Sequence, residues 1–99
     1  MIDEAITVLT TGFSAATGAA SARTAIPTNA AGAAPNYIRV SARNECYIKV
    51  GSVAVTATAN DVLVQPADSL ILRVGGNTHV AYIQGVAAGL VNVVPLEDV

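Results

Sequence analysis

From Tyr37 onward the chain divides into short apolar runs, broken by turn residues about every 8–12 positions, and few folds are compatible with that rhythm. "YIRVSA" sets Ile38 and Val40 on one face and Tyr37, Arg39 and Ser41 on the other. "CYIKV" repeats the alternation, with Cys46, Ile48 and Val50 inward and Tyr47 and Lys49 outward. "VAVTATA" puts Val53, Val55 and Ala57 on a common face and reads as a further strand. "VLVQP" is short and ends at a proline, which cannot donate to a central ladder. "SLILRV", "THVAYIQ" and "LVNVVPL" complete the set, with "ARNE", "GS", "ND", "GGN" and "GVAAG" as punctuation. β-Branched runs and close-set turns disfavour helix. The expected fold is therefore all-β, a compact antiparallel β-sandwich or jelly-roll-like barrel.

Residues 1–36 differ in composition, being rich in Ala, Thr, Gly and Ser, with Phe13 as the one aromatic. Two short strands are expected there, at 6–10 and 23–26. "GFSAATGAASA" has room for a helical turn, although its glycines oppose a long helix. This region cannot bury much surface alone, so it must lie on its own sheet, a sister subunit or a partner. The expected organisation is an extended N-terminal arm, 1–36, followed by a sandwich domain, 37–99. A faint echo links "IRVSARNECYIKVG" to "LRVGGNTHVAYIQG", with the arginines 34 positions apart and the tyrosines 35. Either two equivalent hairpins or ordinary hairpin composition produces such a pattern.

Ninety-nine residues make one domain. Only 12% are charged, against roughly 25% in an average globular chain. So neutral a surface does little to keep copies apart and favours oligomers or docking onto another protein. The net charge is −2 and the five cations, Arg23, Arg39, Arg43, Lys49 and Arg73, form no stripe, which argues against nucleic acid. One cysteine cannot make an internal disulfide. No run approaches the ~20 apolar residues of a membrane span, and "MIDEAITVLTTG" has acids where a secretion signal needs a basic start.

Reactive chemistry is sparse. "NDVLVQP", upstream of the single histidine, His79, is loosely similar to the turn before a metal-binding histidine in cupin barrels. A catalytic metal site needs about three ligands, and no matching glutamate or second histidine is present, so His79 reads as a strand-start residue and no metal or other cofactor is expected. Cys46 falls on the apolar face, where it acts as a small hydrophobe, and a Cys46–His79 dyad would require adjacency in space. No G-x-S-x-G elbow occurs; Asp61 and Asp68 lie in turns; "GGN" is followed by no lysine or helix. The chain is not expected to be an enzyme. Tyr37, Tyr47 and Tyr82 would suit either a sugar-stacking platform or packing and hydroxyl anchoring. Arg39, Lys49 and Arg73 are either cross-strand solubilising charges or a partner-binding patch.

The segments "ANDVLVQPAD" at 59–68, "THVAYIQ" at 78–84 and "VNVVPLE" at 91–97 resemble small virion proteins of tailed bacteriophages, in which a variable arm precedes a compact β domain. These are similar to capsid decoration, or cement, proteins that clamp neighbouring major capsid subunits. The resemblance covers residues 37–97 and implies a structural role on the capsid exterior of a virion, after synthesis in the host bacterial cytoplasm. The implied partners are the major capsid protein and the chain itself, as a trimer by analogy or alternatively a dimer, without nucleic acid or membrane. On that reading Ile6, Val8, Leu9 and Phe13 anchor the arm to the capsid, removal of residues 1–17 leaves a folded domain, and Arg39, Tyr47, Lys49, Arg73 and Tyr82 are candidates for subunit or capsid interfaces. A head–tail, tail or head-spike component is the nearest alternative, and a carbohydrate-binding module a more distant one.

Overall fold

The computed structural model describes residues 12–28, 32–66 and 68–96. Eight strands run in chain order: β1 (Phe13–Ala16), β2 (Ala22–Ala25), β3 (Tyr37–Ala42), β4 (Cys46–Gly51), β5 (Val62–Val64), β6 (Leu70–Arg73), β7 (His79–Gln84) and β8 (Leu90–Leu96). They form two four-stranded antiparallel sheets, ordered β1-β8-β3-β6 and β2-β7-β4-β5. Every connection except β4–β5 passes from one sheet to the other, and this is the connectivity of a jelly roll.

The alternation read from the sequence sets the core. Ile38, Val40, Cys46, Ile48, Val64, Val80, Tyr82, Val91 and Val93 interdigitate between the sheets, with Phe13, Ala15, Val50, Leu70 and Leu72 around them. A sandwich of this kind is stabilised mainly by the burial of those inward faces. Pro95 lies within β8, opposite Ile38 on β3. The bond from the Arg43 N–H to the Leu90 carbonyl fixes which residues of β8 bond to β3. By that alternation the Pro95 nitrogen points away from β3, so its missing N–H breaks no bond to that neighbour.

Three expectations change. First, "GFSAATGAASA" forms strand β1 instead of a helical turn: Phe13 to Ala16 pair with Val93 to Leu90, and Phe13 and Ala15 pack on the core. β2 overlaps the strand expected at 23–26, whereas the one expected at 6–10 lies outside the described residues. β1 and β2 each form the edge of a sheet, so residues 12–28 belong to the sandwich and the boundary at residue 36 does not separate arm from domain.

Second, "VAVTATA" is not a strand. Val55 and Ala57 are buried as the alternation requires, but against Ala81 and Ile83 on the outer face of the second sheet. The segment is a strap that opens with a turn, Val55 N–H to the Ser52 carbonyl at 3.0 Å, and is tied down by Ala57 N–H to Ser21 Oγ at 2.8 Å. Gly51 admits it: a Cβ there would stand 2.7 Å from Val55 Cγ2.

Third, the echoing segments are not hairpins. Each is a corner, β3 to β4 and β6 to β7, that carries the chain between sheets. The cross-strand pairs Ile38–Leu72 and Ile48–Tyr82 each join residues 34 positions apart. An approximate two-fold axis through both pairs therefore relates the first corner to the second. At the second corner Gly75 and Gly76 both have positive φ, +61° and +83°, the backbone of a tight turn that disfavours other residues.

Candidate functional site

β5 ends one sheet and β6 ends the other, and both border the same open side of the sandwich. Between them runs a groove of about 480 Å³, with Ile48, Val50, Val62 and Leu72 at its apolar surface and Lys49, Asn60, Asp61 and Arg73 around it. The Asp61 carboxylate is held by its own turn, its Oδ2 accepting from Thr58 N–H at 2.7 Å and Thr58 Oγ1 at 3.2 Å; this matches the turn role expected of it. Apolar side chains are exposed on both lips: Val62 50% and Leu63 38% on β5, Ile71 57% on β6. Strand edges that no described strand pairs, bearing exposed apolar residues, form a natural contact surface.

The residues singled out from the sequence fall into separate places. Arg39 and Arg73 share the outer face of the first sheet, with Tyr37, Ile71, Asn92 and Val94 in neighbouring rows. Across that face runs a ladder of small polar groups. Asn92 Nδ2 donates to Ser14 Oγ at 3.1 Å, Ser41 and Ser69 hydroxyls lie 3.1 Å apart, and Arg39 Nη2 donates to Ser69 Oγ at 3.0 Å. Tyr47 and Lys49 lie on the outer face of the second sheet, and Lys49 and Arg73 both line the groove.

Tyr82 is a correction. It faces inward at 4% exposure, its hydroxyl 2.7 Å from Thr24 Oγ1, so it cannot meet a partner. The three tyrosines consequently form no platform: Tyr37 is outside one sheet, Tyr47 outside the other, and Tyr82 between them. Phe13 is also corrected, because it packs against the chain's own core with its ring centroid 6.4 Å from that of Tyr82. Ile6, Val8 and Leu9 lie outside the described residues.

The register also separates Cys46 from His79. On the paired strands β4 and β7, Cys46 is opposite Gln84 and His79 opposite Gly51. They are thus at opposite ends of the ladder, about 17 Å apart along it at ~3.4 Å per residue, too far for a dyad. Burial pushes the Cys46 thiol above its ordinary value, and His79 Nδ1 is 2.8 Å from the neighbouring Thr78 hydroxyl. Among the described residues no three His, Cys, Asp or Glu side chains gather closely enough to hold a metal ion. No helix among them is long and apolar enough to cross a membrane.

The groove between the β5 and β6 lips was not legible in the sequence. "VLV" and "LILR" read as two strands among several, and only the sheet order shows that both are edges. The protein is a jelly-roll β-sandwich with an open, apolar-lipped side. No protein-family model, curated protein or solved structure matches the chain.

Proposed function

We propose that this protein is a structural component of a tailed-phage head, a decoration or cement protein that binds the capsid exterior and clamps neighbouring major capsid subunits. The observation that supports the reading is the likeness to virion proteins at 59–68, 78–84 and 91–97, and the exposed apolar Val62, Leu63 and Ile71 on edge strands β5 and β6 offer the self-association that a clamp needs. The chain acts through surface it covers and not through catalysis. A clamp must resist the separation of shell subunits under internal pressure, and a jelly roll supplies rigid contact area for that task. Contacts that are weak singly become strong when an oligomer engages several capsid subunits at once, because later contacts are effectively intramolecular.

In this reading the outer face bearing Tyr37, Arg39, Ser41, Asn92 and Val94 meets the shell, and the β5–β6 side serves self-association. Ile6, Val8 and Leu9, which lie outside the described residues, are the apolar anchors to the capsid in this reading. The test is occupancy of heads assembled without the protein. Wild-type protein added back should occupy hundreds of sites over the shell, as counted in a reconstruction. Arg39→Glu, or Ile6, Val8 and Leu9 changed together to Ser, should reduce that occupancy. About a dozen copies confined to one vertex would favour the head–tail or tail alternative, and no binding to particles would end the reading.

A further inference from the structure

We propose that a second copy of this chain closes the open side of the sandwich, with β5 of each protomer pairing antiparallel with β6 of the other. This deepens the self-association in the reading above and rests on that part of it, but not on capsid binding.

The backbone supplies the first argument. Val74 N–H donates to the Asn36 carbonyl at 2.9 Å, and Gly85 N–H to the Glu45 carbonyl at 2.9 Å. Antiparallel bonding alternates residue by residue, so these two bonds set the phase of the outer ladders. On β6, Leu70 and Leu72 bond inward to β3, which leaves the N–H and C=O of Ile71 and Arg73 directed out from the sheet. On β5, Val62 and Val64 bond to β4, which leaves those of Leu63 directed outward.

Level and direction supply the second. The groove sets Asp61 and Val62 on one lip across from Leu72 and Arg73 on the other. The short connection at 65–69 joins β5 to β6 at the far end, so the two lips run in opposite senses. A two-fold axis along the groove, parallel to the strands, brings each β5 lip against the partner's β6 lip without changing level. Leu63 then stands opposite the partner's Ile71, with the outward backbone groups of both in phase to exchange two hydrogen bonds. Val62 meets the partner's Leu72, and Asp61 meets the partner's Arg73.

Charge complementarity identifies the occupant. One lip ends in an acid and the other in a base at the same level, so the groove side is complementary to itself under a two-fold operation, as an isologous interface requires. Each pairing occurs twice, Val62 is enclosed by the partner's Leu72, Leu63 and the partner's Ile71 pack side by side as a cross-strand pair, and the edges β5 and β6 are removed together. The geometry points to a dimer, where the resemblance suggested a trimer.

The test is a doubly substituted protein, Leu63→Cys with Ile71→Cys, under mild oxidation. Opposed residues of a hydrogen-bonded antiparallel pair have Cα atoms about 5.5 Å apart, within disulfide reach. Within one protomer the two positions lie on the outer faces of sheets packed about 10 Å apart and cannot be bridged. The double variant should run as a covalent two-chain species on a non-reducing gel, and each single variant as one chain. Wild-type protein should sediment at the two-chain mass, Arg73→Asp at the one-chain mass, and Asp61→Arg/Arg73→Asp at the two-chain mass again. A one-chain mass for the wild type, a wild-type trimer, or a cross-linked ladder of three or more chains would overturn the proposal. A dimer that leaves heads bare would instead defeat the capsid reading alone, and a monomer that decorates them would defeat this one alone.

Discussion

The hydroxyls of Thr24 and Tyr82 lie 2.7 Å apart inside the sandwich and join edge strand β2 to its neighbour β7. Tyr82 also packs against Phe13 on β1, so a single inward side chain touches one edge strand of each sheet. Tyr82→Phe keeps the ring and removes the hydrogen bond. It should lower stability by about 1–2 kcal/mol, since Thr24 loses a partner in a part-buried site. Tyr82→Ala, which also opens a cavity, should remove about 3–5 kcal/mol. Urea unfolding of both variants and of Thr24→Val measures the two contributions; equal losses for Phe and Ala would contradict this packing.

Stability should fall at alkaline pH through Cys46. Burial raises the folded-state pKa of its thiol, so on raising the pH the unfolded chain releases its proton first. The contribution is intact below the unfolded value, about 8.5. It is lost as pH rises toward the folded value, at no more than about 1.4 kcal/mol per pH unit. Cys46→Ala should flatten that alkaline slope while lowering stability at neutral pH. An unchanged slope between pH 8 and 10 would count against the buried thiol as its source.

The strap over the second sheet depends on Gly51. A methyl group at this position would meet Val55 Cγ2 at 2.7 Å. Gly51→Ala should therefore lift residues 52–58 from Ala81, at a cost of about 1–3 kcal/mol. Hydrogen exchange should quicken at the Ala57 amide, now bonded to Ser21, while amides of β3 and β8 keep their protection.

Thr17 fastens the end of β1. Its N–H donates to the Gly89 carbonyl and its Oγ1 accepts from the Gly89 N–H, both at 2.9 Å, and the residue is buried. Thr17→Val leaves the Gly89 N–H without that acceptor and should cost about 1–3 kcal/mol. Removing residues 1–17 deletes β1 altogether and uncovers the Val91 and Val93 side of the core, contrary to the folded domain expected from the sequence. Thermal melts of the point variant and the truncation should show a modest and a large fall respectively.

Period-two alternation makes most of the strands legible in the sequence, because a side chain's face on a strand is fixed by local backbone geometry. Ile38, Val40, Cys46, Ile48 and Val50 are assigned inward on that basis, and each packs in or against the core. The same alternation misleads at Val53, Val55 and Ala57: a strap lying on a sheet buries Val55 and Ala57 without a ladder, and Val53, expected on the same face, is 64% exposed. It also misses β1, whose small residues carry no hydrophobic period and become a strand only because β8 offers them an edge.

Local patterning alone settles a neutral, all-β chain with its inward faces already chosen and little reactive chemistry. Long-range packing decides which strands are edges, that Tyr82 is a core residue, that Cys46 and His79 stand at opposite ends of a ladder, and that Asp61 and Arg73 face each other across one groove. Those relationships depend on strand order and register between segments distant in the chain. Nothing in local periodicity encodes them, because the same alternating pattern is satisfied by any neighbour that covers the apolar face.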